Sequence, residues 1–274
     1  MKTIKTFKEL VQSNIKYASQ TWKMAKMDAK KRYSGSALGI FWSLVNPILF
    51  MFVYWFGIQV GIRGGKPISG DIPYLFWMMP GIIAWFFVRD ILNKGCKAIR
   101  KDSHLVTKVV FPVETIPVYN VISYGFTHLM LIAIVTGILA IFGHYFPDIY
   151  YLQILYYLGF MFFFCCVLCT FLSTLSVISR DFEHLIQSTS MIFFWLSPIL
   201  WSPDRLGEGS MMMRIIKLNP FYYFVQGYRD CFIFKKWFWE RPNYTIYMIV
   251  FTIVFTWITV YLYDKLHDEF ADVL

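Results

Sequence analysis

Residues Thr115–Phe142, TIPVYNVISYGFTHLMLIAIVTGILAIF, run for 28 positions without an Asp, Glu, Lys or Arg. A helix of that length rises about 42 Å at 1.5 Å per residue. The hydrocarbon core of a bilayer is only about 30 Å thick. The one side chain in the stretch that can carry charge near neutrality is His128.

Five similar stretches flank it: Leu38–Val60, Ile72–Val88, Ile149–Ser179, Leu185–Pro203 and Tyr244–Tyr263. The six cover 138 of 274 residues, about half the chain. Composition agrees, with 57% apolar, 20% aromatic and only 16% charged residues, where a soluble domain has about a quarter charged. Mean hydropathy is +0.51. These values exclude a plain soluble enzyme and a disordered chain. The expected fold is an all-α integral membrane protein with six transmembrane helices.

A seventh uncharged stretch, Leu218–Tyr228, is too short to cross. It opens on Asn219-Pro220, a helix-start signal, so an outer re-entrant or interfacial helix is expected between spans five and six. The first 37 residues hold nine Lys/Arg and no apolar run, which is not the pattern of a secretory signal. Within them Phe7, Val11, Ile15, Ala18, Trp22, Ala25 and Ala29 recur at helical spacing. Residues 7–29 therefore predict an amphipathic helix in the inner interface, against anionic lipid or a soluble partner.

The net charge is +9. With the N-terminus inside, inner segments hold 17 basic residues and outer segments nine, so the positive-inside rule puts both termini in the cytoplasm. Seven of the nine outer ones lie between spans five and six, from Arg205 to Arg241. Trp42, Trp85 and Trp257 fall toward the inner boundary, and Trp55, Trp77, Trp201, Trp237 and Trp239 toward the outer one, as two aromatic belts. Pro47, Pro80 and Pro198 sit within spans, where a proline kinks a helix.

Chemistry is sparse. There is no phosphate-cradling G-x-x-x-x-G-K-[ST], no H-E-x-x-H and no G-x-S-x-G. Asp181 and Glu183 form a lone D-x-E, read as charges near a helix end rather than a magnesium site. Cys96, Cys165, Cys166, Cys169 and Cys231 are read as packing groups. His128 is read as a neutral histidine bonded to a neighbouring helix, because no carboxylate lies at membrane depth to relay protons. Runs such as Phe162-Phe163-Phe164, Phe193-Phe194-Trp195 and Phe221-Tyr222-Tyr223-Phe224 offer faces for sugar C–H surfaces or for packing.

Several motifs then carry a family likeness. They are Arg32-Tyr33-x-x-Ser36-x-Leu38-Gly39-x-x-Trp42 with Asn46-Pro47, Gly61-Ile62-Arg63-Gly64-Gly65, and Ser179-Arg180-Asp181. Ser197-Pro198-Ile199-Leu200-Trp201 and Leu218-Asn219-Pro220-Phe221-Tyr222-Tyr223 with Gly227-Tyr228-Arg229 complete the set. From about Lys31 to the C-terminus this ordered set resembles type-2 ABC exporter permeases. Within them it resembles the teichoic acid translocation branch of Gram-positive bacteria, close to permeases that export O-antigen and capsule polysaccharide.

The resemblance implies a plasma-membrane homodimer served by two copies of a cytoplasmic ABC ATPase, which binds the ATP and magnesium. This chain itself would hold no cofactor, bind no nucleic acid and not be an enzyme. The cargo would be an anionic glycopolymer on undecaprenyl diphosphate. Residues 1–32 would be a gate helix, 33–266 the transmembrane domain and 267–274 a cytoplasmic tail. ATPase coupling would fall to Ser103, His104, Leu105 and Lys108 in the Arg89–Glu114 loop, with Arg180 and Asp181. Lys30, Lys31, Arg32 and Arg100 are headgroup-binding candidates, and Phe193, Trp195, Trp201, Phe221, Tyr222, Tyr223 and Arg229 are translocation-path candidates. Arg205, Arg214, Lys217 and Arg229 are expected to face an anionic polymer as it leaves. The competing classes are an integral-membrane transferase on polyprenyl-linked sugars, which predicts inner carboxylate clusters, and a scaffold or receptor, which predicts a folded soluble domain.

Overall fold

A computed structural model describes residues 2–32, 34–35, 39–68, 71–104, 112–207 and 210–270. Helices α1 (Lys2–Lys16) and α2 (Ala18–Lys31) precede α3 (Trp42–Trp55), which runs on as a π-helical turn, Phe56–Ile62. Then follow α4 (Tyr74–Asn93), α5 (Ala98–Lys101), α6 (Thr115–Gly143), α7 (Gln153–Ile178) and α8 (Asp181–Leu196). The chain closes with α9 (Met211–Leu218), α10 (Pro220–Arg229) and α11 (Pro242–Leu266). No strand occurs among the described residues. Five helical segments, beginning at Trp42, Tyr74, Thr115, Ile149 and Pro242, are long and apolar enough to cross a membrane.

Helix α4 is the centre of the bundle. It is apolar all round, and every residue from Trp77 to Val88 is buried, as expected of a helix enclosed on all sides. It packs against α3, α6, α7, α8 and α10. It also runs five residues past the predicted Val88 boundary, because Asp90 neutralises Arg89 (3.5 Å) and Lys94 (3.0 Å) and lets the helix carry charge to its end. Trp77 and Trp85 belong to this core rather than to aromatic belts. By contrast α3 buries only Ser43 and Met51 and turns Phe50, Phe52, Val53 and Phe56 outward.

The fifth predicted span, Leu185–Pro203, is displaced. Helix α8 already starts at Asp181, so Asp181 and Glu183 lie in its first turn, where the helix dipole favours acids. It stops at Leu196, because the residue before a proline is pushed out of the helical region: Ser197 is extended at φ −87°, ψ 122°. Pro198 therefore ends a helix instead of kinking one. The 16 residues rise only about 24 Å, less than the other five.

The distal end is the one remote from α1 and α2, and there α9 and α10 form a hairpin that dips into the bundle. Asn219 and Pro220 make its apex. The Asn219 side chain accepts from the Phe221 N–H (3.0 Å), and Pro220 occupies the first helical turn, where its missing donor is harmless. Phe221 touches Phe193, Trp85 and Phe164. The last two lie eleven residues into α4 and α7, roughly 16 Å below their distal ends. The apex also meets the short helix, through Asn219 Nδ2 donating to Ser197 Oγ (2.8 Å).

The predicted amphipathic helix is two helices, broken at Tyr17 (φ −99°, ψ 15°). Its expected apolar face docks only in part. Ala25 of that face is buried and Trp22 meets Phe126 edge-on, and Thr6 and Thr21 off that face are buried, but Phe7, Val11 and Ile15 stay exposed. A bilayer accepts such side chains as readily as a protein core does.

Gly227 shows how closely α10 approaches α7: a Cβ there would lie 2.1 Å from Tyr157 Cε1. Tyr157 is itself buried, so overpacking has no outlet. Gly227→Ala is expected to cost about 1–3 kcal/mol, read as a lower thermal midpoint in detergent, while Gly137→Ala, whose Cβ meets nothing within 4 Å, leaves it unchanged.

Candidate functional site

Charge gathers at the proximal end, beneath α2. Asp28 Oδ2 accepts from Arg32 (2.8 Å) and from the Ser123 hydroxyl (2.6 Å), and Oδ1 pairs with Lys101. Burial pushes this carboxyl up, but the bonds from Lys101, Ser123 and Arg32 outweigh it and hold the group below its ordinary value. The Arg32 guanidinium also lies 3.6 Å over the Tyr124 ring. A second knot joins the chain after α4 to α8. There Glu183 faces Lys97 (3.6 Å) and Arg100 (3.5 Å), while Arg100 donates to the Val177 carbonyl (2.9 Å) and to that of Ser176.

Next to these knots α3, α4 and α6 enclose a cavity of about 300 Å³. Ser43, Asn46, Arg89, Asp90 and Lys94 supply its polar lining, and Trp42, Phe50 and Tyr124 its aromatic one. The Arg89 guanidinium sits 4.7 Å over Phe86 and Lys94 Nζ 5.3 Å over Tyr124. Two cations against one carboxylate, set in aromatic walls, suit an anionic head on an apolar body. His128 closes the depth of the cavity; its Nε2 is 2.7 Å from the Tyr228 hydroxyl and its ring stacks on Phe87.

The predicted residues divide accordingly. Lys30 and Lys31 are exposed on α2. Arg32 and Arg100 are spent inside the protein, which corrects their reading as free headgroup contacts. Arg89 and Lys94, missed in the sequence, are the cations that reach this proximal cavity, and they lie just past the end of an apolar stretch. Of the coupling residues, His104, Arg180 and Asp181 are exposed and Ser103 is half-buried, while Leu105 and Lys108 lie outside the described residues. The Arg89–Glu114 segment holds short helical turns, Gly95–Lys97 and α5.

Among the path candidates Trp195 is 55% exposed and Phe193 half-buried. Trp201 donates its indole N–H to the Trp195 carbonyl (3.1 Å). Phe221, Tyr222 and Tyr223 are buried, packed with Phe160, Phe164 and Tyr244. Arg229 is the clearest correction. Its side chain is 0% exposed, donates to the carbonyls of Trp77 (3.2 Å) and Ile199 (2.8 Å), and lies 3.5 Å over the Trp77 ring. It closes the fold instead of facing a departing polymer. Gly81 leaves room for it, since a Cβ there would lie 2.9 Å from the guanidinium.

The profile of the family described as "ABC-2 type transporter" matches residues 19–233, well over half of the chain. The chain belongs to the ABC-2 type transporter family. It is a type-2 ABC exporter permease, a multi-pass protein of the bacterial plasma membrane. Two O-antigen export system permease proteins RfbA of Klebsiella pneumoniae are 27% and 25% identical to it over 256 residues, covering 90% of this chain and 92% of theirs. An O-antigen export system permease protein RfbA of Myxococcus xanthus is 23% identical over 270 residues, covering 96% and 98%.

Asp28 provides a direct test of the proximal knot. Its lowered carboxyl stabilises the fold above the ordinary value near 3.8, and the contribution is lost as pH falls through the lower folded value. Asp28→Asn is expected to cost about 1–3 kcal/mol at pH 7. It should also raise hydrogen exchange across residues 18–31, and the difference from wild type should close as the medium is acidified.

Proposed function

We propose that this permease is the transmembrane subunit of an exporter that moves a lipid-linked, phosphate-bearing polysaccharide outward, driven by ATP hydrolysis in a separate subunit. The observation that carries the reading is the proximal cavity, where Arg89 and Lys94 stand among aromatic side chains. A carrier lipid diphosphate needs both, cations for the phosphates and apolar walls for the chain beside them. The relatives' names, all of O-antigen export permeases, agree with polysaccharide as the cargo.

In this reading six helices cross, namely α3, α4, α6, α7, α8 and α11, and the α9–α10 hairpin re-enters from the outer face. An even number of crossings puts both termini on one side, and the excess of basic residues assigns that side to the cytoplasm. Helices α1 and α2 lie along the inner surface as the gate. The permease works as a homodimer with two ATPase copies docked near α5 and the start of α8. The outward apolar faces of α3 and α8 supply a surface for the second copy. Wall teichoic acid is the finer reading and rests on the sequence motifs. O-antigen is the second reading, and the relatives' names favour it. A transferase is disfavoured because Glu183, half of the only D-x-E, is taken up by Lys97 and Arg100.

Reconstitution with a partner ATPase in liposomes tests the function. A lipid-linked polymer should stimulate ATP hydrolysis and become accessible outside, and Arg89→Gln with Lys94→Gln should reduce that stimulation about tenfold or more. A permease that never co-purifies with an ATPase would overturn it. Topology is tested separately: cysteines placed at Lys66 and Ser210 should react with an impermeant reagent in intact cells, and one at Lys8 only after lysis.

A further inference from the structure

The distal end holds a larger cavity, about 630 Å³, that the loading reading leaves unused. Buried Trp77 and Tyr222 line it, with Tyr244 on the wall and Lys217, Lys236 and Arg241 around it. Lys217 ends α9, and Lys236 follows the turn after α10; both are exposed. The neighbouring carboxylates are committed elsewhere. Asp230 faces Arg241 (3.2 Å) and accepts from Gln226 (3.0 Å), Asp148 pairs with Lys235 (2.6 Å), and Glu240 accepts from the Trp237 N–H (2.9 Å). Among the described residues neither lysine makes an ion pair, although Lys236 lies within electrostatic reach of Asp230 and Glu240 stands on the same rim. The Tyr244 hydroxyl, buried on the wall, has no hydrogen-bond partner among those residues either, the kind of polar group a bound ligand completes.

This lining is specific in its chemistry. Aromatic faces take the C–H faces of sugars. A lysine ammonium is a mobile point charge for phosphate oxygens and tolerates variable spacing better than an arginine fork does. Lys217, Lys236 and Arg241 belong to the segment between α8 and α11, where seven basic residues depart from the positive-inside pattern.

We infer that the distal cavity is a binding site for phosphate-bearing sugar or polyol units of the exported polymer, held there as they leave the bundle. The inference rests on the export reading. A glycerol-phosphate lipid headgroup of the outer leaflet presents the same chemistry, so the test separates the two sources.

The full-length permease in phosphatidylcholine nanodiscs is titrated calorimetrically with a soluble glycerol-phosphate oligomer and with a neutral dextran of equal length. The phosphate oligomer should bind at least tenfold more tightly than dextran, and less tightly as salt is raised. Lys217→Gln with Lys236→Gln should weaken it roughly tenfold or more. Both lysines are exposed, and an unchanged melting temperature certifies the variant; each single variant replaces it if the pair fails to fold. Equal binding by variant and wild type, or no binding in phosphatidylcholine, overturns the site. Loss of oligomer binding when phosphatidylglycerol is added to the nanodisc gives the cavity to lipid and overturns the polymer assignment. ATP-driven transport reads the export function independently, so transport without oligomer binding removes this site alone.

Discussion

Taking the Arg229 guanidinium out of water carries a desolvation penalty of several kcal/mol, so its position constrains everything it touches. It bonds the Trp77 carbonyl of α4 and the Ile199 carbonyl of the turn after Pro198, and it covers the Trp77 ring. Three elements with no sequence continuity are fixed by one side chain. Helix α10 meets the turn that follows α8 at both its ends, with Asn219 on Ser197 and Arg229 on Ile199. The same contacts set the depth of the apex and press Gly227 against Tyr157.

The crossing helices were legible because a bilayer excludes charge strongly enough to write itself into composition. Thr115–Phe142 and Tyr244–Tyr263 are recovered almost residue for residue in α6 and α11. Where charge is compensated locally the rule weakens: α4 continues through Arg89 and Asp90. Where an uncharged run contains a proline the rule overshoots, as at Pro198. The N-terminal apolar stripe was visible, but not how much of it docks, since lipid and protein compete equally for Phe7 and Val11. Arg100 read as a free cation because its partners, the carbonyls of Ser176 and Val177, lie 76 and 77 residues away. The Asp28 partner of Arg32 stands four residues off, and only the Ser123 contact is remote. The helix start at Asn219-Pro220 was readable because its capping chemistry is local.

The two cavities have related linings at opposite ends of the bundle. Each combines two or three cations with aromatic walls and at least one carboxylate, so neither presents a deep well of positive charge. That moderation suits passage. A charged cargo that must move on is served by several sites of modest affinity better than by one tight one. Between them lies buried α4 with the aromatic packing of α10 and α7.

The break at Tyr17 divides the N-terminal segment between two allegiances. Thr6 and Lys2 bind Asp264 near the end of α11 (2.7 and 3.0 Å), whereas Asp28 and Arg32 bind Ser123 near the start of α6. The first and last helices of the chain are thus joined at one post and α2 at another. Any sliding of α6 past α11 must be absorbed at Tyr17 as a change of angle between two short rods. The segment is in effect a strain gauge stretched across the proximal face of the bundle.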